Sequence, residues 1–99
     1  MKSSFNDIVN AQEVVLVDFF GTWCGPCQAL MPILKGVKEE LGDDIKIIKI
    51  DIDKNKALAT QYQVRSVPTM ILFKNGAPKW RQSGVLQQKD IVNVIETHR

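Results

Sequence analysis

The hydrophobic pattern of this chain changes period several times along its length, and each change marks a structural element. From Val14 to Phe20 both alternating faces are apolar apart from Asp18, in a run rich in β-branched and aromatic residues. That pattern predicts a central strand covered on both sides. After Gly21-Thr22-Trp23 the period lengthens. From Cys24 to about Leu41, the residues Leu30, Leu34, Val37 and Leu41 share one helical stripe, and Gly42 stands where a helix stops. Pro32, inside this helix, predicts a kink. Ile45 to Ile50 reads as a second strand, and a helix beginning near Asn55 carries Ala57, Leu58 and Tyr62. Thr69 to Phe73, then Asn75-Gly76, then about Pro78 to Ser83 predicts a hairpin, because Asn-Gly supplies the positive backbone angles of a tight turn. A last helix from about Gln87 presents Ile91, Val94 and Ile95 to the core, with Val92 at the margin of that face. At the front, Ser4 and Asp7 resemble a capping box opening a short helix that carries Phe5, Ile8 and Val9.

The resulting order is α-β-α-β-α-β-β-α. Strand, helix, strand at the front demands a right-handed parallel crossover, while the hairpin supplies an antiparallel pair. The expected class is α/β, with a mixed central sheet and helices on both faces. No repeat, low-complexity tract or linker-like run interrupts the sequence, so residues 1–99 read as a single domain.

Composition narrows the functional classes. A hydrophobic share of 44% and a charged share of 24% are ordinary for a folded domain and argue against disorder. The 13 basic and 11 acidic residues are spread along the chain, so the formal charge of +2 offers no phosphate-binding stripe. No nucleic-acid partner is expected. The longest apolar runs, Val14 to Val17 and Met70 to Phe73, are far shorter than the roughly 20 residues that span a bilayer, so no membrane partner is expected either. The segment Met1 to Asp7 lacks the apolar stretch of a retained secretory signal, which predicts a cytoplasmic setting. A removed leader followed by a fresh methionine would leave the same sequence.

The chemistry concentrates in two cysteines, Cys24 and Cys27. A single C-x-x-C pair cannot be the disulfide framework of a small secreted domain. At the first turn of a helix the two side chains are near enough to close and open reversibly. Cys24 lies at the helix start, where unpaired amides and the helix dipole favour the thiolate, so it is the expected attacking thiol. Cys27, one turn further in beside Pro26, is the expected resolving thiol. Because a less basic thiolate is also a weaker nucleophile, lowering the Cys24 pKa brings only a few-fold net gain. Holding Cys27 beside a mixed disulfide brings more. The pair is also half of a zinc site, but zinc needs four ligands and the sequence has one histidine, His98. Buried free cysteines, or a structural disulfide, would not need the helix-start position.

The segment Val17-Asp18-Phe19-Phe20-Gly21-Thr22-Trp23-Cys24-Gly25-Pro26-Cys27 resembles the active-site segment of the thioredoxins. Pro32, Lys49-Ile50-Asp51-Ile52-Asp53, Val67-Pro68-Thr69, Phe73-Lys74-Asn75-Gly76 and Gly84 are spaced as in that family, so the resemblance covers nearly the whole chain. It implies the thioredoxin fold, here with four strands, and a protein-disulfide reductase working through Cys24 and Cys27. Glutaredoxins and disulfide isomerases usually carry a different dipeptide between the cysteines, so Gly25-Pro26 points to the reducing branch. The resemblance further implies that Asp18 is a buried acid relaying a proton to or from Cys27, with Lys49 as its charged neighbour. Independently, an acid in a strand apolar on both faces should be desolvated and its pKa raised. A cis Val67–Pro68 bond is implied, which would set the Val67 backbone beside Cys24 for an extended client segment. Trp23, Gly25, Pro26, Val67, Pro68 and Gly84 look like the shallow patch that receives partners. The implied protein is a monomer, holds no bound cofactor and no metal, and is re-reduced by a thioredoxin reductase that uses NADPH. Its clients are disulfide-containing proteins.

Other features depart from the family or have no matching role in it. Phe20 stands where a second tryptophan is common. Gly21 replaces the usual alanine, an expected loosening of the turn before Trp23. The N-terminus is short for the extra first strand of many thioredoxins, leaving Met1 to Ser4 as a segment for edge pairing. Arg65 reads as a solvated loop residue and Trp80 as cover for the core. Two other functions fit the same residues: a binding module with little redox turnover, and an exported thiol oxidant or isomerase.

Overall fold

Eight regular elements follow one another in the computed structural model, which describes residues 4–99. They are α1 (Phe5–Val9), β1 (Val14–Phe20), α2 (Gly25–Leu41), β2 (Lys46–Asp51), α3 (Lys56–Gln61), β3 (Thr69–Lys74), β4 (Ala77–Ser83) and α4 (Gln88–His98). A short 3-10 turn, Gly42–Asp44, follows α2 and has no counterpart in the hydrophobic pattern. The strands form one sheet in the order β2-β1-β3-β4. β1 pairs in parallel with β2 and antiparallel with β3, and β3 pairs antiparallel with β4. This is the expected mixed four-stranded sheet.

The apolar run of β1, broken only by Asp18, is explained by its place between two paired neighbours, with cores above and below. On one face Val14, Leu16, Met70 and Leu72 pack with Leu30, Leu34 and Val37 of α2 and with Ile91 and Ile95 of α4. On the other, Val15, Val17, Phe19, Ile71 and Phe73 pack with Phe5 and Val9 of α1, Leu58 of α3 and Tyr62 just beyond it. Phe5, Tyr62 and Phe73 meet edge to face with ring centres 5.3 to 5.7 Å apart. Trp80 packs half-buried against the first cluster, as expected.

Helix boundaries follow local chemistry. Ser4 and Asp7 form the predicted capping box of α1. α2 ends at Gly42, whose φ of +61° suits glycine, while Lys38 Nζ donates to the Gly42 and Ile45 carbonyls at 2.8 and 2.6 Å. Three strands differ from the pattern's prediction by one residue. β2 runs one residue later than expected, and the hairpin strands reach closer to the turn. Pro78, facing Phe73, lies beside a register shift between Leu72 and Phe73, a bulge that accommodates a proline in the edge strand β4. Residues 1–3 of the segment considered for edge pairing lie outside the described residues.

Candidate active site

Cys24 is the N-cap of α2, one position outside the helix that the hydrophobic stripe predicts to begin with it. Its Sγ accepts the Cys27 N–H at 3.1 Å, doing what a serine or aspartate oxygen usually does at a helix start. The two cysteines form a disulfide with α-carbons 5.2 Å apart. Cys24 keeps 4% of its surface exposed and Cys27 only 1%, so the first sulfur is the more approachable. Cys24 Sγ lies 3.6 Å from the Val67 carbonyl oxygen, across a gap of 43 positions. The Val67–Pro68 bond is cis, and the segment carrying it is fastened by Gly84 N–H to the Pro68 carbonyl at 2.9 Å and Thr69 Oγ1–H to the Ser66 carbonyl at 2.7 Å.

Asp18 shares the β1 face that carries Val14 and Leu16 under α2. It is wholly buried, and neither carboxylate oxygen has a hydrogen-bond partner. Desolvation therefore pushes its pKa up from 3.8 to about 6, opposed in part by the charge of Lys49. Lys49 faces Asp18 in the parallel register of β1 and β2, but its own side chain is exposed. It lines a groove of about 570 Å³ between α2 and β2, with Met31, Pro32, Leu34 and Ile47 among the walls. A second cleft, of about 420 Å³, lies against Cys27, between Phe20, Gly21 and Thr22 on one side and Gln28 and Met31 on the other.

Trp23 stands 67% exposed beside the disulfide, and Gly25 and Pro26 are exposed at the start of α2. Val67 and Gly84 are half-buried, and Pro68 is buried. Two residues without an assigned role join them. Asp53 accepts the Trp23 indole N–H at 2.8 Å, and Val85, beside Gly84, is 41% exposed. The Asp-x-Asp spacing after β2 was the available signal for Asp53; nothing in the local pattern singles out Val85. Arg65 is exposed, as expected of a solvated loop residue.

The thioredoxin family model matches residues 1–97. The chain belongs to the thioredoxin family. It is 47% identical to the chloroplastic thioredoxin Y of Oryza sativa over 96% of its own length and 57% of that protein, so it spans little more than half of that relative. It is 41% identical to a thioredoxin of Rickettsia typhi, covering 91% of this chain and 86% of the other. A mutant thioredoxin from Halobacterium salinarum superposes with a TM-score of 0.89 at 37% identity, covering 99% of this chain and 85% of that one. Thioredoxins are thiol–disulfide oxidoreductases, and the Cys24–Cys27 pair is the redox centre of this one.

Within this thioredoxin, Gly21 has a use other than loosening the turn. It is buried, and a β-carbon built on it would come within 2.7 to 3.0 Å of the Trp23 indole, which lies across it. Gly21→Ala is therefore expected to push the exposed indole aside and break its bond to Asp53 while leaving the core intact. In NMR spectra the Trp23 indole N–H should shift upfield and exchange faster with solvent, with Tm within a few degrees of the parent. An unmoved indole resonance would show that the ring does not depend on the bare glycine. Among the described residues, no cluster of His, Cys, Asp and Glu is placed to hold a metal ion, and no helix is long and apolar enough to cross a membrane.

Proposed function

We propose that this thioredoxin is a protein-disulfide reductase of the cytoplasm, acting as a monomer on disulfide-containing client proteins and re-reduced by a thioredoxin reductase at the expense of NADPH. The observation that carries the reading is the pair of cysteines at the start of α2, both buried with Cys24 the less so, beside the exposed Trp23 and the Val67 carbonyl. The Gly25-Pro26 dipeptide supports the reducing direction, and a reducing compartment suits it.

In the reduced protein the Cys24 thiolate attacks one sulfur of a client disulfide. A mixed disulfide forms and the first client thiolate leaves. The N–H of Cys27 aimed at Cys24 Sγ favours that thiolate before attack. Cys27 then gives its proton to the Asp18 carboxylate and attacks Cys24 Sγ, closing the Cys24–Cys27 disulfide and releasing the second client thiolate. Two electrons pass to the client, and the chain is left oxidised. Lys49, in register with Asp18, favours the carboxylate that accepts the proton. Trp23, Gly25, Pro26, Val67, Pro68 and Gly84 form the surface on which the client lies, its extended backbone beside Val67.

Equilibration of the Cys24/Cys27 pair in glutathione buffers tests the direction. The expected potential is near −270 mV, where about 30 mV changes the equilibrium tenfold. A value near −120 to −180 mV would move the protein to disulfide formation or isomerisation outside the cytosol.

A further inference from the structure

The segment between α3 and Pro68 is tied to β4 at both ends, and the tie furthest from the sulfurs is made by one arginine. In the register of β3 with β4, Arg81 faces Ile71 and Ser83 faces Thr69. Alternation along a strand puts Arg81 and Ser83 on the same side of the sheet, the side that carries α3. There the Arg81 guanidinium donates from Nη1 to the Tyr62 carbonyl and from Nη2 to the Gln63 carbonyl, the latter at 2.7 Å. These are the first two residues beyond α3. Gln63 has a φ of +52°, and Val64 N–H reaches back to the Ala59 carbonyl at 2.9 Å, so the chain reverses here and sets off toward Pro68. At the other end the Ser83 hydroxyl meets Thr69 Oγ1 at 2.9 Å, and Gly84 N–H holds the Pro68 carbonyl.

We propose that Arg81 is a positioning residue for client binding: its bidentate hold on the carbonyls of Tyr62 and Gln63 sets where the segment ending in Val67 stands beside Cys24. The inference rests on the reading of this chain as a protein-disulfide reductase. Two consecutive carbonyls suit the planar fork of arginine, and lysine, a single ammonium point, cannot hold both in the same geometry. Between this tie and the Ser66 carbonyl only Val64 and Arg65 intervene, so displacement at Gln63 is carried to Val67 with little slack. A protein client that lays its backbone along Val67 needs that segment in place. A small disulfide needs only the sulfurs.

The test compares Arg81→Ala and Arg81→Lys with the parent protein on two substrates, insulin and a small aromatic disulfide. KM for insulin is expected to rise roughly two- to tenfold in the alanine variant, the range usual for residues that act through others. The lysine variant should fall between, with kcat on insulin and the rate on the small disulfide held within about twofold. The lysine variant, which keeps the stem and the charge, carries the test if the alanine variant does not fold. An unchanged KM for insulin, or equal losses on both substrates, would overturn the inference while leaving the reductase reading intact. Failure of the parent protein to reduce either substrate would overturn both.

Discussion

Cys24→Ser is expected to abolish disulfide turnover, and Cys27→Ser to stop it one step later with the client still attached. The asymmetry comes from the helix start. Cys24 is the more exposed residue and its Sγ takes the Cys27 N–H, whereas Cys27 is all but buried. A hydroxyl at position 24 cannot form the mixed disulfide, so the loss in turnover should reach about 10³-fold or more. At position 27 the hydroxyl leaves the first exchange intact but removes the resolving sulfur. The mixed disulfide then waits for an outside thiol, because the intramolecular attack supplied most of the rate. Non-reducing gels after mixing with a disulfide-bonded protein, together with intact mass, distinguish the two. Turnover by the serine variant at position 24, or trapping by it in place of its neighbour, would reverse the assigned roles.

Asp18→Asn should make the domain more stable near neutral pH and slow its second exchange step. The wild-type carboxyl has no partner and no solvent, so the folded state favours its protonated form and raises the pKa to about 6. Between 3.8 and 6 the native state therefore binds more protons than the unfolded chain. Stability falls as pH rises through that window, and levels off above it. Asparagine carries a similar unpaired polar burden but never ionises. The stability gap between variant and parent should be close to nil at pH 3 and grow through pH 6. It should then reach about 3 kcal/mol, because each tenfold difference in proton affinity between the folded and unfolded states is worth about 1.4 kcal/mol. Chemical denaturation across that pH range measures it, and a gap constant with pH would remove the ionisation from the account. In kinetics, the variant should lose the pH dependence near 6 of mixed-disulfide resolution. An unchanged pH–rate profile would sink the proton-relay role of Asp18.

Much of this fold was legible in the chain because its central strand is so unambiguous. Val14 to Phe20 is apolar on both faces, and the structure starts and ends β1 at those residues. The edge strands were harder to bound. β2 is only half-buried and β4 largely exposed, so their patterns fade into the adjoining turns. At the site, the spacing of Cys24 and Cys27 carried the chemistry directly, and the isolation of Asp18 in an apolar run carried its burial. The cis bond before Pro68 came from the family resemblance alone. Asp53, thirty positions from Trp23, and Arg81, nineteen from Tyr62, join the site through side chains meeting across the fold. The Asp51-Ile52-Asp53 spacing singles out Asp53 but not its meeting with Trp23, and nothing local singles out Arg81.

The burial of β1 also sets a timescale for the protein. Its amides lie between two paired strands and beneath packed helices, so they exchange with deuterium only when the whole domain opens, at the full cost of unfolding. The first turn of α2 stands at the surface, with Gly25 and Pro26 in solvent. The redox centre thus hangs between the strand expected to open last and a turn at the surface, so exchange at its sulfurs asks for no opening of the sheet.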